Sequence, residues 1–251
     1  KLNILNLISG FLIFSFSTSF IYILNDIKDI NLDKKHPTKK KRILASNQIS
    51  LTHAYIIAFI FFILSLSLSI FFKVWNLIIL YYFINFIYNF FLKKLVFLDI
   101  ICLSIFYVIR IFYGGQLFDI EISIFLTIFS FLIFLILAGI KRLNELKKYN
   151  FKYNIYKKKH FSYLRKLLLL SNVISITLMI LYLLTDEIKS TVRHPEILPA
   201  TVPLIFLWNS IFINNAQKGL LKDNLIKSIF TNVKSIIIMG LTFSIIVFSQ
   251  I

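Results

Sequence analysis

The sequence predicts an all-α, polytopic membrane protein with eight transmembrane helices in this chain. Three observations predict it. Apolar runs long enough to cross ~30 Å of hydrocarbon recur along all 251 residues. The runs are continuous, whereas the strands of a membrane barrel would alternate over ~10 residues. The composition agrees: 58% of residues are hydrophobic and 16% charged, with a mean hydropathy of +0.82, against about half apolar and a quarter charged in soluble domains. A single cleaved signal peptide would account for one run only.

The spans follow in order between charged loops. The first covers 4–24 and ends at the dense stretch "NDIKDINLDKKHPTKKKR". Spans 51–72 and 74–92 are separated by Lys73, and "KK" at 93–94 precedes span 95–114. The acidic "FDIE" leads into 121–140, which ends in the basic loop 141–163. Span 164–185 is followed by "TDEIKSTVRHPE", then by 197–214, the basic segment 215–233 and a last span, 234–251. With 25–50 in the cytoplasm, every strongly basic loop falls on that side and the acidic loops fall on the other. The bias keeps its sign through each crossing, as the positive-inside rule requires. The expected location is a bacterial-type cytoplasmic (inner) membrane, with the chemistry on its cytoplasmic face.

Several function classes drop out. The net charge of +17 comes from 28 Lys and Arg against 11 Asp and Glu, but those charges sit in short loops, so no nucleic-acid partner is expected. Six glycines give no phosphate-cradling loop, and the lone Cys102 reads as a buried packing thiol. No Cys/His metal cluster, Ser/His/Asp trio or internal repeat of the transporter kind is present. His53, His160 and His194 are isolated and take no role.

The chemistry concentrates at two places. Asp26, Asp29 and Asp33 are spaced i, i+3, i+7, so a helix continuing out of the first span carries all three on one face. Three such carboxylates repel unless a cation sits among them, and their hard oxygens suit Mg²⁺, which completes its shell with substrate phosphates. Asn25 adds an amide at the edge, and Lys39 and Arg42 follow as candidates for the far phosphate oxygens. A solvated, topology-anchoring loop is the competing account of "KKHPTKKKR", but it explains poorly three acids in register at a membrane boundary. The second place is "LAGIKRLNELKK", where Lys141 and Arg142 emerge from the fifth span with Glu145 one turn on. One cluster suits metal and diphosphate and the other is cationic, an expected site for two anionic substrates. Lys93 is a weaker phosphate candidate. Asp99 and Arg110, eleven residues apart in the fourth span, share a helix face about 16 Å apart along the axis and are functional candidates by depth alone.

These residues resemble the UbiA-type superfamily of intramembrane prenyltransferases. The first family motif, NDxxDxxxD, stands here as "NDIKDINLD" (25–33). "HPTKKKRILAS" (36–46), "YNFFLKKLVFLDI" (88–100) and "GIKRLNEL" (139–146) are similar to segments of one branch, the decaprenyl-phosphate phosphoribosyltransferases, and "LLKDNLIKSIF" (220–230) is so more loosely. Departures are Ile43 at a usual proline, Asn47 at a usual glycine, and Leu143 and Asn144 in place of Tyr-Ala. The resemblance implies nine helices around a central cavity open to the cytoplasm. The chain from Lys1 is expected to be a single UbiA-type domain, 1–251, lacking the first of them.

The resemblance also implies a reaction. It is Mg²⁺-dependent transfer of 5-phosphoribose from phosphoribosyl diphosphate to a polyprenyl phosphate. Asp26, Asp29 and Asp33, with Asn25, would hold the metal on the leaving diphosphate. Lys39, Arg42, Lys141 and Arg142, with Lys93, would clamp phosphates, and Glu145 would orient Arg142 or Lys141 or contact ribose hydroxyls. Aromatic prenyltransferases of the superfamily carry a second aspartate motif where this chain has Lys141, Arg142 and Glu145. The first alternative is a prenyl diphosphate transferase acting on an aromatic or other small acceptor. A second, of another class, is a non-catalytic transporter or lipid-binding protein, against which the one-sided charge counts. A homo-oligomer is left open.

Overall fold

A computed structural model describes residues 4–150, 155–186, 188 and 192–250. Parts of the two long polar loops, 151–154 and 187 with 189–191, lie outside the described residues, as do 1–3 and 251. Every regular element among the described residues is helical. The helices are α1 Ile4–Asp33, α2 Leu51–Phe71, α3 Trp75–Phe90, α4 Leu98–Phe118, α5 Ile124–Lys148, α6 Lys158–Leu183, α7 Thr201–Lys218, α8 Leu225–Thr231 and α9 Val233–Phe248. Short 3₁₀ turns at Lys39–Lys41, Leu92–Lys94 and Pro195–Ala200 join them.

Among the described residues, six stretches are long and apolar enough to cross a membrane: α1, α2, α4, α5, α6 and Pro195–Lys218, which includes α7. The pair α8 and α9, bent by 83° at Asn232, makes a seventh if counted as one span. The predicted span 74–92 folds as the 16-residue α3, about 24 Å long, because the chain turns at Lys73 (φ 57°) and again at Leu92–Lys94. Large apolar side chains stand outward along these helices, among them Phe11, Phe59, Phe83 and Phe243. In water such a surface would aggregate, and in lipid it is the matched one.

Caps set the boundaries. Ser50, Ser123, Asn224 and Asn232 each accept a backbone N–H of the first turn of the helix that follows. Gly219, in the left-handed region at φ 73°, ends α7, the position where a side chain would be strained.

The chain divides into two compact units. The first comprises residues up to Leu95 together with Val108–Ile122. Within it α1 packs chiefly on α2, whose buried positions are the small Ala54, Ala58, Ser65 and Ser69. Such residues let backbones approach where no hydrophobic effect drives helices together. Gly10 serves the same end against α4: a Cβ there would lie 2.2 Å from Leu117 Cδ2. Phe14 packs between Tyr81 and Tyr113, with centroids 5.1 and 5.2 Å away.

The second unit comprises Val96–Tyr107 and Ser123–Ile251. Its core is built on α5, α6 and α7, with Ile136, Ile140, Leu164, Leu168 and Phe212 wholly buried. Gly139 lets α6 close in, since a Cβ there would sit 2.3 Å from Leu168 Cδ2. Asn209 donates to Asn172 at 2.9 Å, linking α7 to α6 with a hydrogen bond shielded from water.

Candidate active site

The first unit carries the acidic cluster. Helix α1 runs unbroken through 30 residues, about 45 Å, so its last turns extend past the ~30 Å apolar layer. Asn25, Asp26, Asp29 and Asp33 lie in those turns, as the spacing predicts. Arg42 Nη1 donates to Asp26 at 2.7 Å and to Asp33 at 2.8 Å. Lys93 donates to Asn25 at 2.9 Å and pairs with Asp29. Lys28, on the same turns, donates to the carbonyl of Asn89 and stands 3.8 Å from the centroid of Phe90.

Local turns deliver these cations. After Asp33 the chain reverses around His36, whose Nδ1 accepts the backbone N–H groups of Thr38 and Lys39 at 3.3 and 3.4 Å. The 3₁₀ turn of Lys39–Lys41 follows, with Lys39 exposed. The Arg42 carbonyl then accepts from Ser46 N at 2.8 Å, and Asn47 takes φ 58°. That left-handed conformation suits glycine best and asparagine next, which accounts for Asn47 at a usual glycine. Lys93 is presented by the turn closing α3, and beside Asp26 and Arg42 lies a cleft of about 400 Å³ walled by Ile23, Ile43, Ile49, Ala54 and Ile57.

Among the described residues, no three His, Cys, Asp or Glu side chains converge as a metal site. The acids are instead divided between two cations, Asp26 and Asp33 on Arg42 and Asp29 on Lys93. The donor set still fits Mg²⁺, offering carboxylate and amide oxygens and none of the sulfur or imidazole that softer metals prefer.

The second unit carries the cationic cluster. Asp99, in the first turn of α4, is wholly buried. Its Oδ2 accepts from Arg142 Nε at 2.9 Å and Nη2 at 2.6 Å, and its Oδ1 accepts from the hydroxyl of Tyr156. Arg142 Nη1 donates to Glu145 at 3.0 Å. Burial and then the Asp99 carboxylate push the Tyr156 phenol above its ordinary range, so it stays a protonated donor. Lys141 is exposed. Asn144 pairs with the backbone of Leu221 through both amide atoms, at 3.1 and 3.0 Å, seating the segment after α7 on α5. Asp223 of that segment accepts from Lys148 and Tyr149, each at 2.8 Å.

Asp99 faces Arg142 and Tyr156, while the guanidinium of Arg110, on the same helix, lies 4.7 Å from the Phe14 ring centroid. Of the two partners expected for Glu145, Arg142 and Lys141, it pairs with Arg142. The sequence motifs include His36 and Asn144 without assigning them a role, and they leave out Tyr156. Nothing marks Tyr156 among twelve tyrosines, whereas the "HPT" turn signal could have found His36.

The UbiA prenyltransferase family profile matches residues 1–185. Decaprenyl-phosphate phosphoribosyltransferase of Mycobacterium tuberculosis (strain H37Rv) is 32% identical over 145 residues, 55% of this chain and 46% of that protein. Its namesake in Mycolicibacterium smegmatis is 34% identical over 142 residues, 55% and 44% of the two chains. The resemblance to that branch is thereby borne out, though the chain spans less than half the length of these curated relatives. A UbiA homologue from Archaeoglobus fulgidus, solved with GPP and Mg²⁺ bound, superposes with a TM-score of 0.72 at 20% identity, covering 96% of this chain and 87% of that one. At that identity the likeness concerns the fold. With its apolar helices and this match over most of its length, the chain is an integral membrane protein of the UbiA prenyltransferase family.

Proposed function

We propose that the protein transfers 5-phosphoribose from phosphoribosyl diphosphate to a polyprenyl phosphate, in a bacterial-type inner membrane and on its cytoplasmic side. The chain crosses eight times as one functional domain, α3 and the α8–α9 pair included. The observation that carries the reading is Arg142, a guanidinium where the aromatic prenyltransferases carry a second aspartate motif. A cation there suits a lipid that already bears a phosphate, and two of its N–H groups remain for phosphate oxygens.

In this mechanism the C1–O bond of the donor breaks, diphosphate departs with the bonding electrons, and a lipid phosphate oxygen forms the new C1–O bond. That oxygen is already anionic, so no strong base is needed and no proton is transferred. Asp26, Asp29 and Asp33, with Asn25, would hold Mg²⁺, which would supply positive charge to the leaving diphosphate. Lys39, Arg42 and Lys93 contact the diphosphate oxygens. Lys141 and Arg142 bind phosphate in the second unit, and Glu145 orients Arg142.

The test is the mass of the product. Incubation with polyprenyl phosphate and phosphoribosyl diphosphate should yield a lipid heavier by one phosphoribosyl group, and unchanged lipid in an active preparation would refute the reading. One observation favours a second reading, prenyl transfer to a small acceptor: the fold neighbours were solved with DMAPP or GPP and Mg²⁺. A prenylated aromatic product would select it.

A further inference from the structure

Asp99 does more than fill a buried position. A carboxylate out of water is tolerated only when it is fully engaged, and each oxygen here has a fixed partner. Arg142 grips Oδ2 through Nε and Nη2, and the Tyr156 hydroxyl donates to Oδ1. Tyr156 is held in turn, since its hydroxyl accepts the backbone N–H of Phe97 at 2.9 Å and its ring meets the Phe97 ring edge-on at 5.7 Å. Phe97 itself sits at φ 69°. A bulky residue takes that conformation at a cost and keeps it only where its surroundings insist, which is a mark of functional sites.

The two acids around Arg142 differ in kind. Glu145 is partly exposed, with 24% of its side chain accessible, while the Asp99 side chain shows none. Glu145 holds the guanidinium at its accessible edge, and Asp99 holds it from the buried side. Its hold on Nε and Nη2 fixes the rotation of the planar guanidinium, and so decides which N–H groups face outward.

We infer that Asp99 is a positioning residue that aims the Arg142 guanidinium at a substrate phosphate, with Tyr156 holding Asp99 in register. The inference rests on the reading of Arg142 as a phosphate ligand. It assigns specificity to a residue that touches no substrate, and it explains why an acid is buried beside a site for anions.

Steady-state transfer by the full chain in lipid, with phosphoribosyl diphosphate and polyprenyl phosphate each varied, tests it. Asp99→Asn should raise KM for one of the two substrates by about tenfold or more, the scale of one charge-assisted hydrogen bond, and change kcat little. Arg142→Lys keeps the charge but loses the fork, and should do the same to the same substrate. The double variant should be no worse than either single variant, because both remove one aimed group. Tyr156→Phe keeps the ion pair and serves if Asp99→Asn fails to fold; it should raise the same KM severalfold with the melting temperature held. Losses that multiply in the double variant, or wild-type KM values in both Asp99→Asn and Tyr156→Phe, would overturn the positioning role. An Arg142→Ala variant with both KM values unchanged would overturn the phosphate reading itself, and the positioning role with it.

Discussion

Lys93, in the turn that closes α3, pairs with Asp29 in the last turns of α1, 64 residues earlier in the chain. This pair brings a residue type suited to phosphate against one suited to metal, within one unit of the fold. Asp29→Asn should reduce Mg²⁺-dependent turnover by at least about a hundredfold, the scale of removing one electrostatic contact that matters in the transition state. The protein should remain folded by circular dichroism and gel filtration. Turnover within a few-fold of wild type would rule out Asp29 as a metal ligand.

Arg42 bridges Asp26 and the buried Asp33 through a single nitrogen. Removing it leaves two carboxylates facing each other, one with 5% of its side chain exposed. Arg42→Ala should cost about 1–3 kcal/mol, between the values for exposed and buried pairs, seen as a lower melting temperature in detergent. Mg²⁺ should restore part of that loss, since a ligand of the folded state stabilises by mass action. A variant as stable as wild type, or one that Mg²⁺ leaves unmoved, would contradict the shared use of these oxygens.

Replacing Lys141 and Arg142 together by Ala should raise KM for a phosphorylated substrate by about tenfold or more, as charged hydrogen bonds to phosphate are lost. Initial rates over a substrate range read this directly. Wild-type kinetics for both substrates would take the cationic cluster out of the reaction.

Asn144 mimics a peptide group toward Leu221, and both atoms involved are buried. Asn144→Ala orphans a backbone N–H and a carbonyl, a cost of about 1–3 kcal/mol. Amide exchange at Leu221 should speed up well before α5 is affected. Unchanged protection would mean that the segment after α7 is held by other contacts.

Much of this was legible in the sequence. The i, i+3, i+7 register of the three aspartates survived because α1 continues past the apolar layer as one helix, and helical spacing is a local property. Continuous apolar runs likewise gave the long helices. What the sequence hid are pairings between segments distant in the chain. Helical spacing relates Asp99 only to residues of its own helix such as Arg110, whereas the buried acid is held by Arg142 and Tyr156, 43 and 57 residues away. Helix ends are also hard to read from hydropathy. The apolar stretch 74–92 shortens to α3 because its ends fold into turns, which hydropathy does not register.

The central claim is the transfer of phosphoribose to a lipid. The most direct measurement uses the protein in lipid with phosphoribosyl diphosphate labelled in the ribose, with Mg²⁺ and polyprenyl phosphate each present or omitted, and follows label into the organic phase. The account predicts that label moves only when both are present. Label that stays in water under every condition, in a preparation that prenylates an aromatic acceptor from a prenyl diphosphate, would contradict it.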